Sequence, residues 1–175
     1  MPSDAGFLPL RLAGTVSESI VDGPGFRYVL FVQGCPHGCP GCHNPETHDF
    51  NGGYPADQMK IIQEIAANPL LQGVTFSGGE PFCQASALCP LAQAVRNLGK
   101  NIVVYSGFTL EQLVKRSESE PDIKKLLLLC DILIDGPFKL EKRDLNLLFR
   151  GSRNQRIIDL HAWSEGKTDI LWKNK

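Results

Sequence analysis

The sequence of 175 residues has no long apolar run and no excess of one charge. Its 18 Lys and Arg nearly cancel 19 Asp and Glu, for a formal net charge of −1. Composition therefore makes no case for nucleic acid or an acidic membrane surface as a partner. No stretch approaches the roughly 20 apolar residues of a membrane span. Met1 to Arg11 lacks the basic start and apolar centre of a secretory signal, so the expected location is the cytoplasm. Six cysteines are too few to staple a chain of this length, and in a reducing compartment they read as free thiols or metal ligands. Internal repeats and low-complexity linkers are also missing. What is present is ordinary globular usage, 42% hydrophobic and 21% charged, in a length that suits one domain over residues 1–175.

Strand and helix signals alternate along the chain. Arg11–Ser19 and Arg27–Val32 read as strands, separated by the turn residues Asp22, Gly23, Pro24 and Gly25. Residues 35–53 form a long loop with four glycines and three prolines, and a loop of that length inside a compact domain is usually functional. Helical spacing follows over 55–68, with Met59, Ile62 and Ile65 on one face and Pro55 placed for the first turn. Strands are expected at 74–76, 102–105, 132–134 and 156–160. Helices are expected at 85–98, closing on Gly99, at 110–117, and at 123–129. This alternation predicts an α/β fold with parallel βαβ units, about five or six of them, forming an open sheet or a partial barrel. In either form the loops at the strand C-terminal ends carry the site.

The loop from Gly34 holds Cys35, Cys39 and Cys42, with three residues between the first pair and two between the second. Three thiolates this close converge on one metal centre if the backbone wraps around it, which Pro36, Gly38, Pro40 and Gly41 permit by breaking any helix. Thiolates are the ligands of iron–sulfur clusters. A [4Fe–4S] cube held by three cysteines keeps one iron free of protein ligands and open to substrate. Spacing alone leaves a structural zinc site open, with His37, His43 or His48 as the fourth ligand; such a chain would be a zinc-stabilised interaction module. A second candidate follows at Ser77-Gly78-Gly79-Glu80-Pro81. The glycine pair lets a ligand lie against the backbone, and the Glu80 carboxylate can accept charge-assisted hydrogen bonds from an ammonium group. A glycine pair before proline is also a common plain turn.

Together, the cysteine loop and the glycine-glycine-glutamate turn resemble the radical S-adenosylmethionine superfamily. Val21-Asp-Gly-Pro-Gly-Phe-Arg27, Gln33-Gly-Cys35 and Cys42-His-Asn44 narrow this to activases of glycyl-radical enzymes. Further blocks resemble the activating proteins of anaerobic (class III) ribonucleotide reductases. They are Asn44-Pro-Glu-Thr-His-Asp-Phe-Asn-Gly-Gly53, Tyr105-Ser-Gly107, Leu133-Ile-Asp-Gly-Pro-Phe138 and Phe149-Arg-Gly-Ser-Arg-Asn-Gln-Arg156.

The resemblance implies a radical-SAM partial parallel β/α barrel, one [4Fe–4S] cluster on Cys35, Cys39 and Cys42, and bound S-adenosylmethionine. It implies that the reduced cluster cleaves the sulfonium to methionine and a 5′-deoxyadenosyl radical, which takes hydrogen from a glycine of the reductase's large subunit. The cofactors do this chemistry, so no separate catalytic acid or base is named. Gly78, Gly79 and Glu80 would hold the methionyl ammonium, and the backbone of Gly41, Cys42 and His43 would lie against the adenine. Ser106 and Asp135 would contact ribose or the methionyl carboxylate. Many relatives carry an aromatic residue where this chain has Gly41. The electron would come from a one-electron donor protein such as flavodoxin or ferredoxin. A different glycyl-radical partner is the alternative within the same chemistry.

Other features read more plainly. Cys83, Cys89 and Cys130 lack tight spacing and are expected to be buried thiols. Arg150, Arg153 and Arg156 form a solvated basic face, or else dock on an acidic partner surface or order the 149–156 loop over the site. His37 and His48 are read as loop residues.

Overall fold

The computed structural model describes residues 6–174. Of the N-terminal stretch without a secretory-signal pattern, residues 1–5 lie outside the described residues. Among the described residues seven strands form one sheet: β1 (Arg11–Ser19), β2 (Arg27–Val32), β3 (Tyr54–Pro55), β4 (Gly73–Gly78), β5 (Asn101–Tyr105), β6 (Ile132–Asp135) and β7 (Arg156–Asp159). Their spatial order is β3-β1-β2-β4-β5-β6-β7, and the edge strands β3 and β7 do not pair, so the sheet is not closed. The helices are α1 (Gln58–Ala67), α2 (Ala85–Asn97), α3 (Leu110–Arg116), α4 (Pro121–Leu129) and α5 (Leu160–Ser164). Among the described residues no helix is long and apolar enough to cross a membrane.

Only β2, β4, β5 and β6 are parallel, joined by crossovers that carry α1, α2, and α3 with α4. The expected five or six βα units are thus three crossovers, with antiparallel strands at both flanks. The reason lies in the connections. The link at 20–26 is shorter than the dozen or so residues a parallel crossover needs, so β1 must return antiparallel to β2. The connection at 136–155 is long enough but supplies no packed helix, and β7 also returns antiparallel.

Local chemistry sets the helix limits. Asp57 accepts from the Lys60 amide at 3.0 Å and starts α1 there, which leaves Pro55 in the edge strand β3 rather than in a helical first turn. Thr109 and Gln112 form a reciprocal capping box on α3. Pro121 opens α4, and Gly99, at φ +75°, follows the end of α2.

The period-two alternation of the parallel strands sorts their side chains onto two faces. Tyr28, Leu30, Val32, Val74, Phe76, Ile102, Val104 and Leu133 pack with Ile61 and Ile65 of α1, Leu88, Leu91 and Val95 of α2, and Leu126 of α4. The opposite face carries Phe31, Ser77 and Tyr105 toward the strand C-terminal ends, where all three line a cavity. The other end of that face is filled by Arg27, which is fully buried. Its Nε donates to Thr75 Oγ1 at 2.7 Å, and its terminal nitrogens donate to Pro24 O, Asn101 Oδ1 and Val74 O. Burial pulls its pKa down to about 10, against the opposing charge of Asp131 and Tyr105. Thr75 Oγ1 donates onward to Asp22 O at 2.7 Å, so Arg27 props the loop that brings Val21 and Asp22 to the cavity. Replacing Arg27 with Met keeps much of the stem but strands four acceptors. It should cost about 3 kcal/mol in urea unfolding; an unchanged midpoint would mean that the stem alone fills this space.

Candidate active site

Four neighbouring strand ends build the site. At the end of β2, the chain passes through Gln33 into the cysteine loop. Gln33 is buried, and its amide donates to Glu46 O at 3.0 Å and Asp49 O at 2.6 Å. Gly34 N–H donates to Thr47 O, Cys35 N–H to His48 O, and the Thr47 hydroxyl to Asn44 O. Gln84 reaches across to the carbonyls of Arg11 and Gln33. The long loop is therefore pinned from within and from β1, and it contains one short 3₁₀ turn, Pro45–Thr47.

The glycine pair ends β4, and its first role is backbone packing. Gly79 N–H donates to Val32 O and Glu80 N–H to Gly34 O, both at 2.8 Å. A Cβ on Gly79 would lie 2.3 Å from Gly34 O, and one on Gly78 would lie 2.6 Å from the Phe31 and Val32 backbone. Gly78 also sits at φ +90°. Side chains here would push the cysteine loop off the strand end, so the glycines bring that loop against β4 and expose their own backbone to the cavity.

Glu80 lies behind this wall with no exposed surface. Its carboxylate accepts from Phe82 N–H at 3.1 Å, Gly107 N–H at 2.9 Å, the Ser106 hydroxyl at 2.9 and 3.1 Å, and His37 Nε2 at 2.6 Å. Asp135, also buried, is used in a similar way. It accepts from Leu110 N–H at 2.8 Å and from the Arg156 guanidinium, whose pKa is raised chiefly by Asp135 and then by Glu111. Gly136, not Asp135, faces the cavity, and Ser106 faces it with its hydroxyl committed to Glu80.

Cys35, Cys39 and Cys42 all line this cavity of about 730 Å³, with Gly78, Gly79 and His43 also on its wall. Its size suits a nucleoside-sized ligand, since small-molecule sites run roughly 300–1,000 Å³. The thiols are free and half-buried. Burial raises the Cys35 pKa, a backbone hydrogen bond at His37 opposes this, and charge on Glu80, Cys39 and Cys42 adds to the rise. Three cysteines on the wall of one cavity are ligands that iron can take as thiolates, its charge favouring their deprotonated form. The Asn44 amide already points at Cys42 Sγ, at 3.4 Å. The donor chemistry, three cysteine sulfurs on one cavity wall, is of the kind iron–sulfur clusters take. Among the described residues no three His, Cys, Asp or Glu side chains are grouped to hold a single metal ion.

Residues 21–158 match the family described as a 4Fe-4S single cluster domain. Three curated relatives are named anaerobic ribonucleoside-triphosphate reductase-activating protein. The one from Pasteurella multocida (strain Pm70) is 36% identical over 79% of this chain and 90% of its own. The one from Escherichia coli (strain K12) is 37% identical over 81% and 93%, and that of Enterobacteria phage T4 is 35% identical over 88% and 92%. The chain belongs to this family of activating proteins. The family match decides for an iron–sulfur cluster over zinc, the choice that spacing left open.

Leu145 and Leu147, carried by no sequence signal, line the cavity from the 136–155 connection, beside Phe149 and Gln155 of the 149–156 loop that the sequence places over the site. His37, by sequence a loop residue or a zinc ligand, meets Glu80 across the fold. Phe149 is the only non-glycine described residue at positive φ, +60°, and its carbonyl accepts from the Tyr105 hydroxyl at 2.7 Å. The basic stretch divides. Arg150 lines the cavity, Arg153 is exposed, and Arg156 is taken by Asp135 and Glu111. Cys89 and Cys130 are buried as expected, but Cys83 is exposed, because Pro81 and Phe82 take the inward positions of its 3₁₀ turn.

Proposed function

We propose that this protein binds S-adenosylmethionine in the cavity beside a three-cysteine [4Fe–4S] cluster and activates an anaerobic ribonucleoside-triphosphate reductase. The observation that carries the reading is the convergence of Cys35, Cys39 and Cys42 with Gly78 and Gly79 on one cavity wall, in a chain of this family. When bound, the reduced cluster supplies the electron that cleaves S-adenosylmethionine and leads to a glycyl radical on the reductase.

The chain's own residues bind, orient and exclude water. Cys35, Cys39 and Cys42 would ligate three irons and leave the fourth to the methionyl group. The backbone of Gly78 and Gly79 would seat the methionyl ammonium, with Glu80 fixing that turn from behind. Gly41, Cys42 and His43 would flank the adenine. The His43 ring packs edge-on against Phe138 at 5.2 Å, and a Cβ on Gly41 would meet Leu140 at 3.0 Å. Ser106 would lie toward the ribose, while Asp135 shapes the end of β6 through Arg156. We further assign the fold to a partial radical-SAM barrel acting as one domain over 1–175, working in the cytoplasm with a flavodoxin- or ferredoxin-like donor.

The test is anaerobic incubation of the iron-loaded protein with reductant, S-adenosylmethionine and an anaerobic reductase. A glycyl radical signal on the reductase is expected, dependent on every component. Release of 5′-deoxyadenosine with no radical on the reductase would contradict the assigned partner.

A further inference from the structure

His37 stands midway between two cluster cysteines, two residues after Cys35 and two before Cys39. A histidine in an exposed loop would point to water, yet this side chain is only 15% exposed. Its Nε2–H donates to Glu80 at 2.6 Å, across 43 positions of sequence. Its ring meets Phe108 edge-on, with centroids 4.5 Å apart. Gly107 completes the seat: a Cβ there would lie 2.4 Å from His37 Cδ2 and 2.6 Å from Nε2. The carboxylate that receives His37 is itself fixed by Phe82 N–H just beyond β4 and by Ser106 and Gly107 just beyond β5. With these donors its roughly four lone-pair directions are filled.

We propose that His37 is a positioning residue for the cluster. Through Glu80 it locks the Cys35–Cys39 arm of the loop to the ends of β4 and β5, so that two of the three thiolates are held in place before iron arrives. A buried, charge-assisted hydrogen bond is the strong kind, and outer-shell partners of this sort hold ligands in orientation. Gly107 is a glycine so that the imidazole can occupy its place. The geometry is independent of the cluster reading; the consequence for cluster retention rests on it.

Hydrogen exchange of the iron-free protein over residues 34–42 tests the lock without any cofactor. His37→Ala should speed exchange there about 10-fold, the loss expected from one hydrogen bond to a charged group. Gly107→Ala keeps every donor but displaces the ring, and should do the same. His37→Gln places an amide N–H near the Nε2 position and should restore most of the protection. After reconstitution, the same order should appear in the time the cluster survives a chelator, with His37→Ala and Gly107→Ala losing iron about 10-fold faster than the parent. Parent-like exchange and parent-like retention in both His37→Ala and Gly107→Ala would overturn the proposal, as would His37→Gln behaving like His37→Ala. A parent protein that takes up no cluster would defeat the functional reading instead, and the exchange result would still judge the lock.

Discussion

Cys39→Ala should leave the protein without its cluster and without cleavage of S-adenosylmethionine. Cys39 stands between the other two ligands, three residues after Cys35 and two before Cys42. With two thiolates left, no other cysteine among those lining the cavity can take over: Cys83, Cys89 and Cys130 are not on its wall. Changes one shell further out cost metal sites roughly 10–100-fold, so loss of a ligand should lower iron retention and product formation by at least about 100-fold. The fold should survive. The loop is held by Gln33, Thr47 and Gln84 rather than by Cys39, whose own backbone contact is a local turn to Cys42. Iron and sulfide analysis with far-ultraviolet circular dichroism checks both halves. A full [4Fe–4S] signal in Cys39→Ala would show that another residue is a ligand. Cys89→Ala, by contrast, should keep the cluster.

Glu80→Ala should damage stability and cluster together. Sequence reasoning gives this residue a contact with the ligand's ammonium, so its loss would weaken S-adenosylmethionine binding and leave the cluster spectrum largely intact. The structure puts more on it. Removing a fully buried carboxylate strands the amides of Phe82 and Gly107, the Ser106 hydroxyl and His37. Leaving buried donors unsatisfied costs about 1–3 kcal/mol each, and here it also releases the loop arm between Cys35 and Cys39. The expected result is a lowered urea midpoint, faster loss of iron, and weaker S-adenosylmethionine binding. Glu80→Gln should be milder in volume but still impaired, because its NH₂ group must face a donor. Parent-like stability in Glu80→Ala would remove this residue from the centre of the site.

Much of this was legible because the signals are local. Cys35, Cys39 and Cys42 are close in sequence, strands β1 and β2 show their limits in composition, and Gly99 marks the end of α2. The sense of the flanking strands was legible only in part: the short 20–26 link forbids a parallel crossover, whereas the long 136–155 connection permits either course. The partners of Glu80 were not legible at all. His37, Ser106 and Gly107 come from different strand ends, and nothing in their own neighbourhoods reveals the carboxylate they share. The same holds for Asp135. Its place after a strand suggests a ligand contact, but Arg156, 21 positions away, claims it. The glycine pair shows the limit of motif reading most clearly. Gly78 and Gly79 suggest ligand approach, and the closest approach they allow is that of the protein's own cysteine loop.

Three cysteines holding a cluster whose remaining iron is open to S-adenosylmethionine would show in low-temperature electron paramagnetic resonance of the anaerobically reconstituted, reduced protein, recorded with and without that ligand. A [4Fe–4S]⁺ signal whose shape changes when S-adenosylmethionine is added is the predicted result. A signal that the ligand leaves unchanged, or a protein that holds zinc and takes up no cluster, would contradict it.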